Sequence, residues 1–362
     1  MSPTRIAACH VAPVFLSARE TTDKAIKYIR QAAENAANVV VFPEAFIPAF
    51  PVWSALRPPT ENHDLFERMA KESVYADGEE MQALRAVARE TQTIISIGFS
   101  EKVHFSAACL YNSNILIGTG GEILVHHRKL MPTFYEKLTW SPGDGHGLRV
   151  AKTEYGHIGN LICGENTNPL ARYSLMAQGE QIHISTWPAI WPTRVSTRES
   201  PEENNLPEQE RNQSGPRNYD NILANRTRAA AHCFEAKCFG VMCAGLLDQR
   251  AMDTIVVGSS TPQQVRQALQ DSPRGASMFL DPTGTHVPSF TICKHTKDRK
   301  PAEALQTEEE ILYADLDLDK CIEGKQYHDV VGGYQRLDVF QLHVNRTRQN
   351  PVNFSDQEAV PE

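Results

Sequence analysis

Asn38-Val39-Val40-Val41-Phe42-Pro43-Glu44 (NVVVFPE) is a β-branched run with no polar alternation, closed by a proline and a carboxylate. An unalternated run of this kind is expected where a strand is covered on both faces of its sheet. Pro43 cannot continue the pairing, so Glu44 stands just past the strand end. Upstream, Ala25, Ile26, Ile29, Ala32, Ala33 and Ala36 recur at helical spacing behind Ser17, which predicts a helix leading into the strand. The same grammar returns downstream. A helix over Gly78 to Thr91 precedes Thr93 to Phe99 (TIISIGF), and one over Pro169 to Gln178 precedes Gln181 to Thr186 (QIHIST). A helix over Ile222 to Phe234 then precedes a strand over Gly240 to Cys243. The fold class is α/β. Asn114 to Gly118, Gly120-Gly121 and Glu122 to His126 read as a hairpin, so the sheet is mixed.

The 362 residues suffice for one large α/β domain or two ordinary ones. With 41% hydrophobic and 22% charged residues the composition is that of a globular protein, which excludes disorder and fibrous architectures. Acidic residues outnumber basic ones by 44 to 36, and no stretch gathers Lys and Arg, so nucleic acid is not an expected partner. No segment approaches the about 18 apolar residues that span a bilayer, so no membrane partner is expected. Ile6 to Leu16 reads as a first β-strand and not a secretory signal, because only Arg5 precedes it and His10 interrupts it. Eight scattered cysteines in so long a chain suggest reduced thiols and a cytoplasmic location. The glycosylation-type tripeptides at Asn225 and Asn345 carry no weight without such a signal. Trp191 to Asn218, rich in Pro, Glu, Asn, Arg and Ser, reads as a surface insertion, and residues 344–362 read as a mobile tail.

Three sites share one layout, a buried strand followed at once by a reactive residue, and open α/β sheets place ligands at such strand ends. Glu44 reads either as a solvated loop group or as a general base raised in pKa by burial. Lys129 closes the run His126-His127-Arg128-Lys129 and reads either as a solvated lysine or as a group that stabilises developing negative charge. The adjacent histidines point to opposite faces of their strand, which weakens a metal reading. Cys163, in Asn160-Leu161-Ile162-Cys163-Gly164-Glu165, is either a small packing residue or a nucleophile at a sharp turn. In the second case a following helix amino-terminus would favour its thiolate. Cys233, Cys238 and Cys243 have neither zinc-pair nor redox spacing and read as packing residues.

Together, Glu44, Lys129 and Cys163 resemble the catalytic triad of the nitrilase superfamily. The segment Arg128 to Trp140 (RKLMPTFYEKLTW) is similar to that family's lysine motif, with Glu136 at its further acidic position. His328 to Phe340 (HDVVGGYQRLDVF) resembles a segment of the nitrile-cleaving branches. The resemblance runs from about Ile6 to about Phe340. Gly164 and Gly333 depart from it, standing where nitrilases commonly carry Trp and His, a difference that bears on substrate and subunit contacts.

The resemblance implies a four-layer α-β-β-α sandwich formed by one domain over residues 1–343. It implies subunits that pair and extend into spirals, with the 191–218 insertion at their contacts. By it, Glu44 takes the proton of Cys163, the thiolate attacks a nitrile carbon, Lys129 steadies the nitrogen, and Glu136 helps place water. No metal or organic cofactor is implied. Phe50, Trp53, Trp140 and Trp187 follow the three motif segments closely enough to line one substrate mouth, or else are core. Their number hints at an arylaliphatic or similar apolar nitrile.

An amidase or carbamoylase, or a cyanide hydratase or dihydratase, would share the triad. A non-catalytic binding protein on the same fold should have lost one of its members. A papain-like protease would need a readable Cys-His pair, and none of the 13 histidines supplies one.

Overall fold

A computed structural model describes residues 3–194 and 220–352. Among these, the strands form two sheets, one of eight strands and one of six. The first contains β1 (Thr4–His10), β2 (Val39–Val41), β3 (Ile94–Val103), β4 (Ser106–Ile117), β5 (Ile123–Arg128), β11 (Ser289–Ile292), β12 (Arg299–Pro301) and β14 (Glu310–Leu316), in the order β12-β11-β14-β1-β2-β3-β4-β5. The second contains β6 (Ala151–Thr153), β7 (Gly156–Ile162), β8 (Ile182–Trp187), β9 (Phe239–Ala244), β10 (Ser277–Leu280) and β13 (Ala304–Leu305), in the order β13-β10-β9-β8-β7-β6. β1, β2 and β3 are parallel, as are β7, β8 and β9, while β3–β4–β5 are antiparallel. Both sheets are therefore mixed, as the hairpin reading requires.

The unalternated valines explain the layering. Val39 and Val41 face inward with Ile6, Ala8 and Ile94, against Ile182, Ile184, Phe239 and Val241 of the second sheet. Val40 points the other way, with Ile95 and Ile97, onto Ile29 and Leu84 of the helices Ala18–Glu34 and Glu79–Thr91. On the far side, Trp187, Met242 and Ala244 pack on Ala229 and Cys233 of the helix Asn221–Ala236. The result is a four-layer α-β-β-α sandwich. β2, β5 and β7 run out toward the same region, where they deliver Glu44, Lys129 and Cys163.

Residues 195–218 of the expected insertion lie outside the described residues, and Trp191 at its start is buried. The tail, expected to be mobile from residue 344, is held as far as Gln349. Val344 packs against Leu148 and Leu161, and Arg348 pairs with Asp144 at 3.2 Å and donates to the His126 carbonyl at 3.0 Å. Few apolar anchors were visible there because the attachment is mostly ionic.

Ile184, fully enclosed between the sheets, tests the layering. Ile184→Ala is expected to cost about 2–5 kcal/mol of stability, read as a lowered midpoint of urea unfolding; an unchanged midpoint would contradict an inter-sheet core at this position.

Candidate active site

Each of the three reactive segments contains a left-handed residue that is not glycine. Ala45 follows Glu44 (φ 46°), Phe134 begins the turn Phe134–Leu138 that carries Glu136 (φ 52°), and Cys163 is itself left-handed (φ 50°). Such conformations cost of order 1–3 kcal/mol each and persist only where the surroundings over-determine them. Beneath Glu44 lies Gly98 of β3, where a Cβ would fall 2.3 Å from the Pro43 carbonyl oxygen and 2.6 Å from the Ala45 nitrogen. Only a glycine lets the Glu44 loop fold down onto the sheet.

The loops converge on one enclosed cluster. Lys129 Nζ donates to Glu44 Oε1 at 2.8 Å and to the Glu136 oxygens at 2.8 and 2.7 Å, and all three side chains are inaccessible to solvent. Asn112 Nδ2 donates to Glu44 Oε1 at 2.7 Å, and the Thr133 N–H donates to Glu136 Oε2 at 3.0 Å. Cys163 Sγ, a Glu44 oxygen and a Glu136 oxygen lie within 4.8 Å of one another. Three such ligand atoms could surround a cation, and the Lys129 ammonium, bonded to both carboxylates, occupies that role.

Burial pushes the Cys163 thiol well above its ordinary pKa, and the Glu44 charge adds to the rise. At rest Cys163 is therefore a thiol. This corrects the expectation of a helix-stabilised thiolate: the helix after Cys163 begins only at Pro169, beyond the turn Cys163–Thr167. Burial raises Glu44 as well, against the pull of Lys129. Glu136 is pushed up to about 7 by burial, with Lys129 opposing the rise and Glu44 reinforcing it. Burial alone would lower Lys129, but Cys163, Glu136 and Glu44 hold it well above its usual value, so it stays an ammonium. Glu44 Oε2 is buried with no hydrogen-bond partner. A carboxylate with an unused oxygen and a raised pKa, close to a neutral thiol, can accept that thiol's proton as the sulfur attacks.

Sequence reasoning missed the two residues that hold the turn. Glu165 accepts from the backbone N–H groups of Ile162 (2.8 Å) and Leu130 (2.6 Å) and from His127 Nε2 (2.8 Å), tying the lysine loop to the cysteine loop. Burial alone would raise its pKa, but His127 and these donors hold it down. Asn166 Nδ2 donates to the carbonyls of Cys163 (3.0 Å) and Leu161 (3.3 Å). No periodicity marks either residue; the one signal was that both are polar in a turn between a buried strand and a proline-led helix.

The aromatic candidates separate. Phe50 is half-buried and lines a cavity of about 40 Å³ that also touches Glu44, Ala189 and Gly245. Trp140 lies 5.6 Å from Phe50 and donates to Ser100 Oγ. Trp187 is fully buried in the cluster that contains Cys163. Trp53 is enclosed in the core against Phe15; like Trp140 and Trp187, it does not line this cavity. The sequence reading omitted Tyr135 and Trp191, which stack at 4.3 Å beside Phe50. The cavity has room for little more than water. A larger one of about 760 Å³, near Phe239 and Lys320, touches none of the four clustered groups and bears no relation to this chemistry.

Comparison with known proteins gives the same family over nearly all the chain. The carbon-nitrogen hydrolase family model matches residues 5–326. A nitrilase of Penicillium rubens is 31% identical over 359 residues, covering 98% of this chain and 96% of that protein. An arylacetonitrilase of Hypocrea virens is 31% identical over 347 residues, covering 94% and 92%. A cyanide hydratase of Alternaria brassicicola is 29% identical over 353 residues, covering 97% and 87%. Among solved structures, a carbon-nitrogen hydrolase of Helicobacter pylori superimposes with a TM-score of 0.63 at 19% identity, covering 92% of this chain and 96% of that one. An amidase of Nesterenkonia superimposes with a TM-score of 0.56 at 15% identity, covering 88% of this chain and 96% of that one. With its cysteine and two carboxylates gathered at the strand ends of a four-layer sandwich, this chain belongs to the carbon-nitrogen hydrolase family of the nitrilase superfamily.

Proposed function

We propose that this chain is a nitrilase that converts an organic nitrile to the carboxylic acid and ammonia, with Glu44, Lys129, Cys163 and Glu136 as its catalytic groups. The observation that carries the reading is the closed cluster itself: a neutral thiol within 4.8 Å of two buried carboxylates that clamp one ammonium. The nitrilase and arylacetonitrilase similar to it over almost its whole length favour a nitrile over an amide. Phe50, with Trp140, Tyr135 and Trp191 packed around it, favours an apolar, arylaliphatic one.

The geometry supports the following chemistry. As Cys163 Sγ bonds to the nitrile carbon, its proton passes to Glu44, and the nitrile nitrogen takes up a proton in turn, giving a thioimidate. Lys129 steadies the charge that grows on that nitrogen. Water, deprotonated by Glu44 and placed with help from Glu136, adds to the carbon. Cleavage of the C–N bond then releases ammonia and leaves a thioester. A second water breaks the C–S bond, releases the acid and restores the thiol. If the C–S bond breaks before the C–N bond, the product is the amide.

Self-association is part of the proposal. Leu170 and Leu223, on the helices outside the second sheet, and Leu337 and Phe340, on the carboxyl-terminal arm, are 61–73% exposed. A homodimer or longer assembly would cover them. Among the described residues, no helix is long and apolar enough to cross a membrane.

Ammonia release from aromatic, arylaliphatic and aliphatic nitriles, matching amides and cyanide tests the reading. Nitriles should be turned over and Cys163→Ala should lose on the order of 10⁴-fold or more in kcat; turnover of amides alone, or of cyanide alone, would move the assignment to those branches. The pH profile gives a second test. Glu136 and Glu44 are both raised, so as pH falls through about 7 the pair takes up a proton and the base is lost. The kcat/KM of the free enzyme should fall on the acid side with that midpoint, and Glu136→Gln should move it downward by removing a neighbouring negative charge; a midpoint indifferent to Glu136→Gln would contradict this coupling. Gly98→Ala, which forces the Glu44 loop off the sheet, should lower kcat by about tenfold or more, and wild-type kcat would show that the loop's seat on Gly98 does not position Glu44.

A further inference from the structure

Behind the nucleophile turn lies a second buried cluster that the proposed chemistry leaves unused. Glu180, His183 and His232 are all inaccessible to solvent. Glu180 Oε1 meets His183 Nδ1 at 2.8 Å, Glu180 Oε2 meets His232 Nε2 at 2.6 Å, and the two imidazoles stack with centroids 3.6 Å apart. Burial alone would raise the Glu180 carboxyl, but the two imidazoles hold it down to about 2, so it is an acceptor and both histidines donate to it. Burial, reinforced by His183, lowers His232 to about 4, so His232 is neutral. The separations would suit a metal by distance. Each histidine is instead hydrogen-bonded to Glu180.

The other nitrogen of His183 leads toward the active site. His183 Nε2 lies 2.8 Å from Asn166 Oδ1. The Asn166 amide nitrogen is turned to the carbonyls of Leu161 and Cys163, so its oxygen must be the acceptor and His183 the donor. The chain of bonds runs His232, Glu180, His183, Asn166 and then the Cys163 carbonyl, with His183 donating from both ring nitrogens, to Glu180 on one side and to Asn166 on the other. Gly159 of β7 leaves room for it, since a Cβ there would lie 2.0 Å from Glu180 Oε1.

We propose that His183, oriented by Glu180 and backed by His232, is a positioning residue for the reaction: it locks the Asn166 amide in the one orientation that clamps Cys163 in its left-handed conformation. Without His183 the buried Asn166 oxygen loses its donor, the amide would turn away from the two carbonyls to find another, and the turn would relax. Cys163 Sγ would then shift relative to Glu44 and Glu136, while the aromatic cavity stays in place. The inference rests on the reading of Cys163 as nucleophile.

The test is His183→Phe and His232→Phe in the full chain, with kcat per folded active site, KM and the amide-to-acid product ratio measured on a nitrile that the wild type turns over. His183→Phe should lower kcat by about tenfold or more, leave KM within about twofold of wild type, and raise the amide share. His232→Phe, one link further away, should do the same more weakly. A merely structural cluster would change yield or Tm, but it cannot move the product ratio or split kcat from KM, because those do not depend on how many molecules are folded; wild-type values of both would overturn the proposal. Should the variants not fold, histidine nitrogen NMR of the wild-type protein decides it. Alkylation of Cys163 with iodoacetamide should shift the His183 ring resonances, and unshifted resonances would overturn the proposal. If the wild type lacks Cys163-dependent turnover, the nucleophile reading fails instead, whatever the histidine resonances do.

Discussion

The structure depends on one buried cation. The Lys129 ammonium has three donors, and Glu44 and Glu136 supply three oxygens at 2.7–2.8 Å with no solvent access to any partner. A buried ion pair is costly unless every member is met, and removing one partner typically costs about 3–5 kcal/mol because the other charge is left uncompensated. The loops that follow β2 and β5 and the turn that holds Glu136 must therefore meet at one point. Asn112 and the Thr133 N–H complete the shell. Cys163 comes to the same point from the other sheet, so packing between the two sheets sets the distance between its sulfur and Glu44.

The electrostatics of that point favour a resting thiol and charge transfer only on attack. Two carboxylates and one ammonium leave an excess of negative charge beside Cys163, which with burial holds its proton on. Burial raises both carboxylates against the pull of Lys129, and the Glu44 charge adds to the rise at Glu136. The left-handed turn at Cys163 carries the sulfur past the strand end into the buried cluster, and Asn166 and Glu165 hold the turn in place.

Much of this was legible in the sequence because it follows from one-dimensional patterns. NVVVF, TIISIGF and QIHIST lack alternation because successive side chains enter different apolar layers, and Val39, Val40 and Val41 do so in the structure. The proline after the first run placed Glu44 at the strand end. The residues that the patterns did not reveal act through partners distant in sequence. Glu165 joins Leu130 and His127 to Ile162, Glu180 joins His183 to His232, and Gly98 seats a loop more than fifty residues earlier. Trp53 looked like a pocket residue from its nearness to Glu44 in sequence, yet its ring turns into the core against Phe15. Ionic anchoring of the tail by Arg348 was hidden for the same reason: charge pairs have no periodicity.

In the proposed reaction Cys163 bonds covalently to a nitrile carbon. Peptide mass mapping of the protein, acid-quenched during turnover of an organic nitrile, detects that bond. An acyl or imidoyl adduct is expected on the Cys163 peptide and on none of the other seven cysteines; steady turnover with the Cys163 peptide unmodified, or with the adduct on another cysteine, would overturn the assignment of Cys163 as nucleophile.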